Sequence, residues 1–171
     1  GGLVGVEGEE VFLALLADQR GRGNAQVVEE LLGGVVVDQR LDRADRHAVA
    51  DRGAHVYSVE IIPELKAMAE NNLKAHNITN VTVEQGDAAR GWAKHEPYDV
   101  IVLTASTPVL PDAFQKSLNP GGRLFAITGE DPVMEAVLIT CTAPGEFTTK
   151  KLFETSTAPL INAQQPVRFT F

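Results

Sequence analysis

The run Tyr98–Thr104, YDVIVLT, constrains the fold more than any other stretch of this chain. It is short and rich in β-branched residues, and it lacks the alternation of a half-exposed strand. It therefore reads as a strand buried on both faces, which requires a sheet covered on each side. The surrounding residues fit such a sheet. His55–Glu60 (HVYSVE) is a short β-rich run. Pro63 then suits a first helical position, with Glu64 in the first turn. Leu65, Met68, Ala69 and Leu73 follow at helical spacing. Glu70 and Lys74 are placed to pair at i,i+4, and Asn77 to stop the helix. Val81–Glu84 is a second strand, ending in the turn Gln85-Gly86-Asp87. Pro111–Leu118 reads as a short helix closed by Asn119-Pro120-Gly121-Gly122, and Arg123–Thr128 as the next strand. Val133–Thr142 and Phe147–Glu154 flank Ala143-Pro144-Gly145-Glu146, a hairpin signal. Strand, helix, strand in succession implies parallel pairing by crossover. The expected fold is thus α/β: a doubly wound, mostly parallel sheet closed by a carboxyl-terminal antiparallel hairpin.

The first third reads differently. Residues 1–53 hold six Arg, no Lys and no Pro, whereas residues 54–171 hold six Lys and all nine Pro. Both parts are net −4, so charge does not separate them. Gly8–Ala17 and Ala25–Leu32 look helical, Val35–Asp38 suits a strand, and Leu41–Ala50 suits a helix. Either this is an ordinary variable start, or a replaced or frame-disturbed one. At 171 residues the whole is expected to be one domain, with 1–53 atypical and 54–171 its recognisable core.

Charge and composition remove several functions. A net charge of −8 argues against a phosphate-backbone binder, so no nucleic-acid partner is expected. The longest apolar stretches are far shorter than the ~20 residues of a membrane span. The start, GGLVGVEGEE, lacks the basic region of a secretory signal. The single cysteine, Cys141, suits a reducing compartment, and a cytoplasmic location is expected. It reads as a small core residue rather than a nucleophile. His47, His55, His76 and His95 show no metal-ligand spacing, so no metal is expected. A triad of Ser58, His55 and Asp51 fails because the odd spacing puts His55 and Ser58 on opposite faces of a strand.

Ligands of open α/β sheets bind beyond the carboxyl ends of the strands, and three features of this chain fall there. Glu60 ends the first strand, where a carboxylate can accept both hydroxyls of a ribose; equally, it can be a solvated acid before a helix. Asp87 follows Gly86, and its carboxylate suits an adenine amine; equally, Gly-Asp is a common turn. Thr104-Ala105-Ser106 ends the buried strand with small polar residues, facing a ligand or simply turning.

Together these segments resemble the protein-L-isoaspartate O-methyltransferase family, which uses S-adenosyl-L-methionine. VYSVEIIPEL (56–65) is similar to its second-strand motif, EQGDAARGW (84–92) to its GDGxxGW segment, and residues 98–129 to its fourth-strand, helix and fifth-strand block with the PGGRL turn. The resemblance begins at Gly53-Ala54 and covers about two-thirds of the chain. It implies a Rossmann-like sheet of class I methyltransferase type, and methylation of isoaspartyl sites in damaged proteins or peptides. It places cofactor contacts on Glu60, Ile61, Asp87, Ala88 and Thr104, and it identifies no catalytic residue and no oligomeric state.

One part of the family pattern is missing. Members carry a strand ending in E-x-G-x-G-x-G before the second-strand motif. Counting back places that strand on Val35–Asp38 and the loop on Gln39–Arg43, yet no glycine lies between Gly34 and Gly53. Glycines there let backbone approach the methionine part of the cofactor. The expectation is impaired cofactor binding. Two other readings fit part of the sequence: a non-catalytic Rossmann-like remnant, and a nicotinamide dinucleotide domain in which Glu60 meets the ribose.

Overall fold

YDVIVLT lies within a ten-residue strand inside a seven-stranded sheet. The computed structural model describes residues 11–15 and 55–167. In chain order the strands are β1 (Val11–Leu15), β2 (His55–Glu60), β3 (Val81–Gln85), β4 (Tyr98–Thr107), β5 (Leu118–Glu130), β6 (Val133–Ala143) and β7 (Glu146–Thr155). Helix α1 (Pro63–Ala75) joins β2 to β3, a 3-10 turn (Ala93–His95) precedes β4, and helix α2 (Asp112–Lys116) joins β4 to β5. The order across the sheet is β3-β2-β1-β4-β5-β6-β7. The pairs from β3 to β5 are parallel, so their carboxyl ends share one edge. The pairs β5–β6 and β6–β7 are antiparallel and form the expected closing hairpin.

Register shows that the sheet is covered on both faces. Val83 pairs with Ser58, Ser58 with Ala14, Ala14 with Val102, and Val102 with Phe125, which puts these five positions on one face. There Val83 packs with Ala69 and Leu73 of α1, and Phe125 with Ile127, Met134 and Ala136. The residues between them, Val59, Ile101, Leu103, Leu124 and Ala126, point to the opposite face and cluster with Phe114 of α2. Full burial of Ile101, Leu103 and Phe114 accounts for the uninterrupted apolar text of β4. At ~1.5–3 kcal/mol per fully buried large apolar side chain, this layer is a main source of stability.

The signals that bound α1 act as read, and three others are corrected. Pro63 opens α1, Lys74 lies in its last turn, and Asn77 takes the positive φ of 56° just beyond it. Pro111 caps α2 rather than entering it, so that helix covers only Asp112–Lys116. β5 starts earlier than expected because Leu118 already pairs with Tyr98. The NPGG segment bulges between that pair and Val100–Arg123, and Gly122 packs so closely that a Cβ would stand 2.8 Å from the Asn119 carbonyl oxygen. Glu70 pairs with Lys66 at i,i−4, not with Lys74.

Two expectations for the first third are corrected. Val11–Leu15 lies inside the expected helix Gly8–Ala17 but is a strand. It also fills the slot between β2 and β4 that counting had given to Val35–Asp38. VFLAL is a short apolar run, and periodicity does not separate a buried strand from a buried helix turn at that length. Residues 25–32, 35–38 and 41–50 lie outside the described residues, as does the loop expected at 39–43. Among the described residues no helix is long and apolar enough to cross a membrane.

Candidate functional site

Glu60 ends β2 and is 97% buried, its side chain turned back on the chain. One carboxylate oxygen accepts from the Ile62 N–H at 2.9 Å. Its carbonyl accepts from the Gly86 N–H at 3.1 Å and from Gln85 Nε2 at 3.0 Å, while Gln85 Nε2 also donates to the Ile61 carbonyl at 2.7 Å. The ends of β2 and β3 are therefore locked together, with Ile61 half-buried between them.

Beyond β3 the chain turns tightly at Gly86. A Cβ there would stand 2.4 Å from the Trp92 ring, so only glycine lets the indole close over the turn. Asp87 is exposed, and Ala88 and Ala89 behind it are buried. One Asp87 oxygen accepts from the Ala89 N–H at 3.0 Å and the other from Asn162 Nδ2 at 2.8 Å. Gly91, at φ 115°, closes the turn by donating to the Ala88 carbonyl at 3.1 Å.

A polar cluster anchors Trp92 from below. Glu84 accepts from Trp92 Nε1 at 2.7 Å and from Lys94 Nζ at 2.5 Å, and lies 3.1 Å from His95 Nε2. Burial pushes the Glu84 carboxyl up, but the hydrogen bonds from Lys94, His95 and Trp92 outweigh it and bring it down to about 2. His95 stacks on Tyr57 with centroids 3.5 Å apart. The Tyr98 hydroxyl donates to the Trp92 carbonyl at 2.7 Å, and burial pushes that phenol up to about 12.

Thr104 is exposed near the end of β4, where register with β5 shifts between Val102 and Ser106. Ser106 is fully buried and holds the carboxyl-terminal segment. Its N–H donates to the Ala158 carbonyl at 3.1 Å, its carbonyl accepts from the Leu160 N–H at 2.8 Å, and its hydroxyl donates to the Thr157 carbonyl at 3.0 Å. From there the segment reaches Asp87 through Asn162 and Arg90 through Gln164.

The five residues singled out in the sequence thus lie along the shared carboxyl edge. Glu60 and Ile61 are bonded directly to Gln85 and Gly86, which lead into the turn at Asp87–Ala88, and Thr104 lies two residues before Ser106, which holds the segment that reaches Asp87. Sequence reasoning missed Asn162 and the Glu84 cluster, and it read Ser106 as part of a strand end without its hold on the carboxyl-terminal segment. The contacts of Ser106 and Asn162, 51 and 75 residues apart, leave no local pattern to read. Among the described residues no His, Cys, Asp and Glu group is arranged to hold a metal ion, and Cys141 is buried, its thiol donating to the Ala143 carbonyl at 3.2 Å.

Comparison with known proteins agrees with this architecture. The chain is 35% identical over 112 residues to a protein-L-isoaspartate O-methyltransferase of Gloeobacter violaceus, covering 66% of this chain and 55% of that protein. It is 36% identical over 110 residues to the enzyme of the same name from Ignicoccus hospitalis, covering 64% and 52%. The chain spans about half the length of these curated relatives. A solved protein-L-isoaspartate O-methyltransferase superposes with a TM-score of 0.62 at 23% identity, covering 90% of this chain and 43% of that one. A Plasmodium falciparum structure assigned to the same family, in complex with S-adenosyl-L-homocysteine, gives 0.60 at 15% identity, covering 90% and 66%. These two likenesses establish the fold, a class I methyltransferase sheet. The family model for protein-L-isoaspartate(D-aspartate) O-methyltransferase matches residues 46–165, and the chain belongs to that family.

Proposed function

We propose that this chain is an S-adenosyl-L-methionine-dependent carboxyl O-methyltransferase acting on isoaspartyl residues of damaged proteins or peptides in the cytoplasm, with weakened cofactor binding. The observation that carries the reading is Glu60, a buried carboxylate at the carboxyl end of β2. A carboxylate has about four lone-pair sites, and the Ile62 N–H engages one oxygen, so Glu60 retains capacity for the two ribose hydroxyls. Ile61 would pack beside the sugar. Asp87 would accept from the adenine amine, Ala88 would lie against the ring, and Thr104 would face the ligand from β4. The bound cofactor supplies an electrophilic methyl group on a sulfonium. What these residues contribute is orientation and exclusion of water, which carry most of the rate in an in-line transfer to a carboxylate oxygen. The whole chain is read as a single methyltransferase-like domain. A cytoplasmic site accords with the lone, buried Cys141.

The proposal of weakened binding rests on the sequence that follows the central strand. The sequence that leaves β1, Leu16–Asn24 (LADQRGRGN), carries Gly21 and Gly23 but not E-x-G-x-G-x-G. Residues 39–43 carry no glycine at all. On either placement the pattern is absent, which equally favours a non-catalytic remnant as the second reading. Methyl transfer to an isoaspartyl peptide separates the two. Slow but measurable transfer, lost in Glu60→Ala, supports the enzyme. Binding of S-adenosylhomocysteine without any transfer supports the remnant. Equal affinity in the unmodified chain and in Glu60→Ala removes Glu60 from the site.

A further inference from the structure

We infer that Asn162 is a positioning residue that aims the Asp87 carboxylate at the exocyclic amine of the cofactor's adenine, an inference that rests on the reading of Asp87 given above. Asp87 is exposed, and an exposed carboxylate with one donor swings freely about its side-chain bonds. Here each oxygen has its own donor: the Ala89 N–H on one at 3.0 Å, and Asn162 Nδ2 on the other at 2.8 Å. Two donors on two oxygens fix the plane of the group.

Asn162 is itself held. Its φ of 63° is the left-handed conformation that asparagine tolerates better than most residues. The next residue, Ala163, is buried and donates to the Leu160 carbonyl at 3.0 Å. Leu160 and Ala158 in turn bond both sides of the Ser106 backbone at the end of β4. The strap 157–165 therefore ties the end of β4 to the turn after β3, two places that the sheet order separates by β2 and β1. The choice of donor also matters. A neutral amide orients the carboxylate without cancelling its charge, whereas Lys or Arg would consume it. The carboxylate then favours a ligand that offers an amine and disfavours one that offers a carbonyl at the same ring position.

Ligand-detected NMR titration with S-adenosylhomocysteine and S-inosylhomocysteine tests this, because the second ligand replaces the amine with a carbonyl. The full chain is expected to prefer the adenine ligand by about tenfold or more. Asn162→Gly deletes the amide while keeping a residue that accepts positive φ, and is expected to lose most of that preference. If Asn162→Gly is unfolded by circular dichroism, the isosteric Asn162→Asp serves instead, since it places an acceptor where the donor stood. Equal weakening for both ligands with the preference intact makes the strap merely structural and overturns the positioning role alone. A full chain that binds both ligands equally, or neither, overturns the role together with the reading of Asp87.

Discussion

Trp92 lies over Gly86 so closely that a Cβ at Gly86 would stand 2.4 Å from one ring carbon and 2.6 Å from the next. The indole has little freedom to retreat, because Nε1 is bonded to Glu84 at 2.7 Å. Gly86→Ala is accordingly expected to destabilise the protein by about 1–3 kcal/mol, the usual cost of overpacking a tight site. Urea melts check it. Trp92→Phe, which removes the donor and shrinks the ring, should relieve part of the Gly86→Ala penalty in the double variant.

Acid should weaken the fold through Glu84. Its carboxyl is brought from 4.5 down to about 2 in the folded state, so the stabilisation is complete above pH 4.5 and is lost as pH falls from there towards 2. Glu84→Gln should be less stable at pH 7 and show a flatter decline between pH 4.5 and 2. Chemical denaturation at a series of pH values reads both. An unchanged slope would show that the Lys94, His95 and Trp92 contacts do not hold the carboxylate in solution.

Glu60 and Asp87 should differ as ligand contacts. Glu60→Ala is expected to weaken S-adenosylhomocysteine binding by about 1–3 kcal/mol, through lost hydrogen bonds to a charged acceptor. Asp87→Ala should cost less, since one amine on an adenine edge makes one bond. The NMR titration used for Asn162 measures both. A larger loss from Asp87→Ala than from Glu60→Ala reverses the assignment.

The sheet order also separates the two placements proposed for a glycine-rich cofactor segment. A variant reading E-x-G-x-G-x-G over residues 16–22, directly after β1, is expected to raise S-adenosylhomocysteine affinity at least about tenfold, a change of ~1.4 kcal/mol. The same glycine-rich replacement starting at residue 39 should leave it unchanged. The opposite result would return the central role to Val35–Asp38.

Much of the fold was legible because the signals were local. Pro63 and Asn77 bound α1, the Gly-Asp turn ends β3, and Ala143–Glu146 turns the hairpin, each through conformational preferences of the residues themselves. β4 was legible because both its faces are buried. β1 was not, since five apolar residues suit either a strand or a helix until neighbouring strands select one. At the candidate site, Glu60 and Asp87 stood out through their place at strand ends. Glu84 did not: an acid near the end of β3 carries no hint that Lys94, His95 and Trp92 return to it. Glu70 shows the same limit at short range, because lysines stand four residues away on both sides and only packing decides between them.

β7 is an outer strand of the sheet, with one row of backbone groups turned away from β6. Among the described residues no strand pairs with its outer margin, and an apolar margin of that kind invites pairing between molecules. Here the margin is written as TTKK, and Thr148 through Lys151 are all exposed. Lys151 is partnered across the strands with Glu135 at 2.6 Å. Successive residues of a strand point to opposite faces, so an incoming strand would meet one lysine on each face of this margin. The lysines of β7 thus guard the chain against self-association at the end of the sheet farthest from β3, and replacing both with Val or Thr would remove that guard while leaving the carboxyl edge as it is.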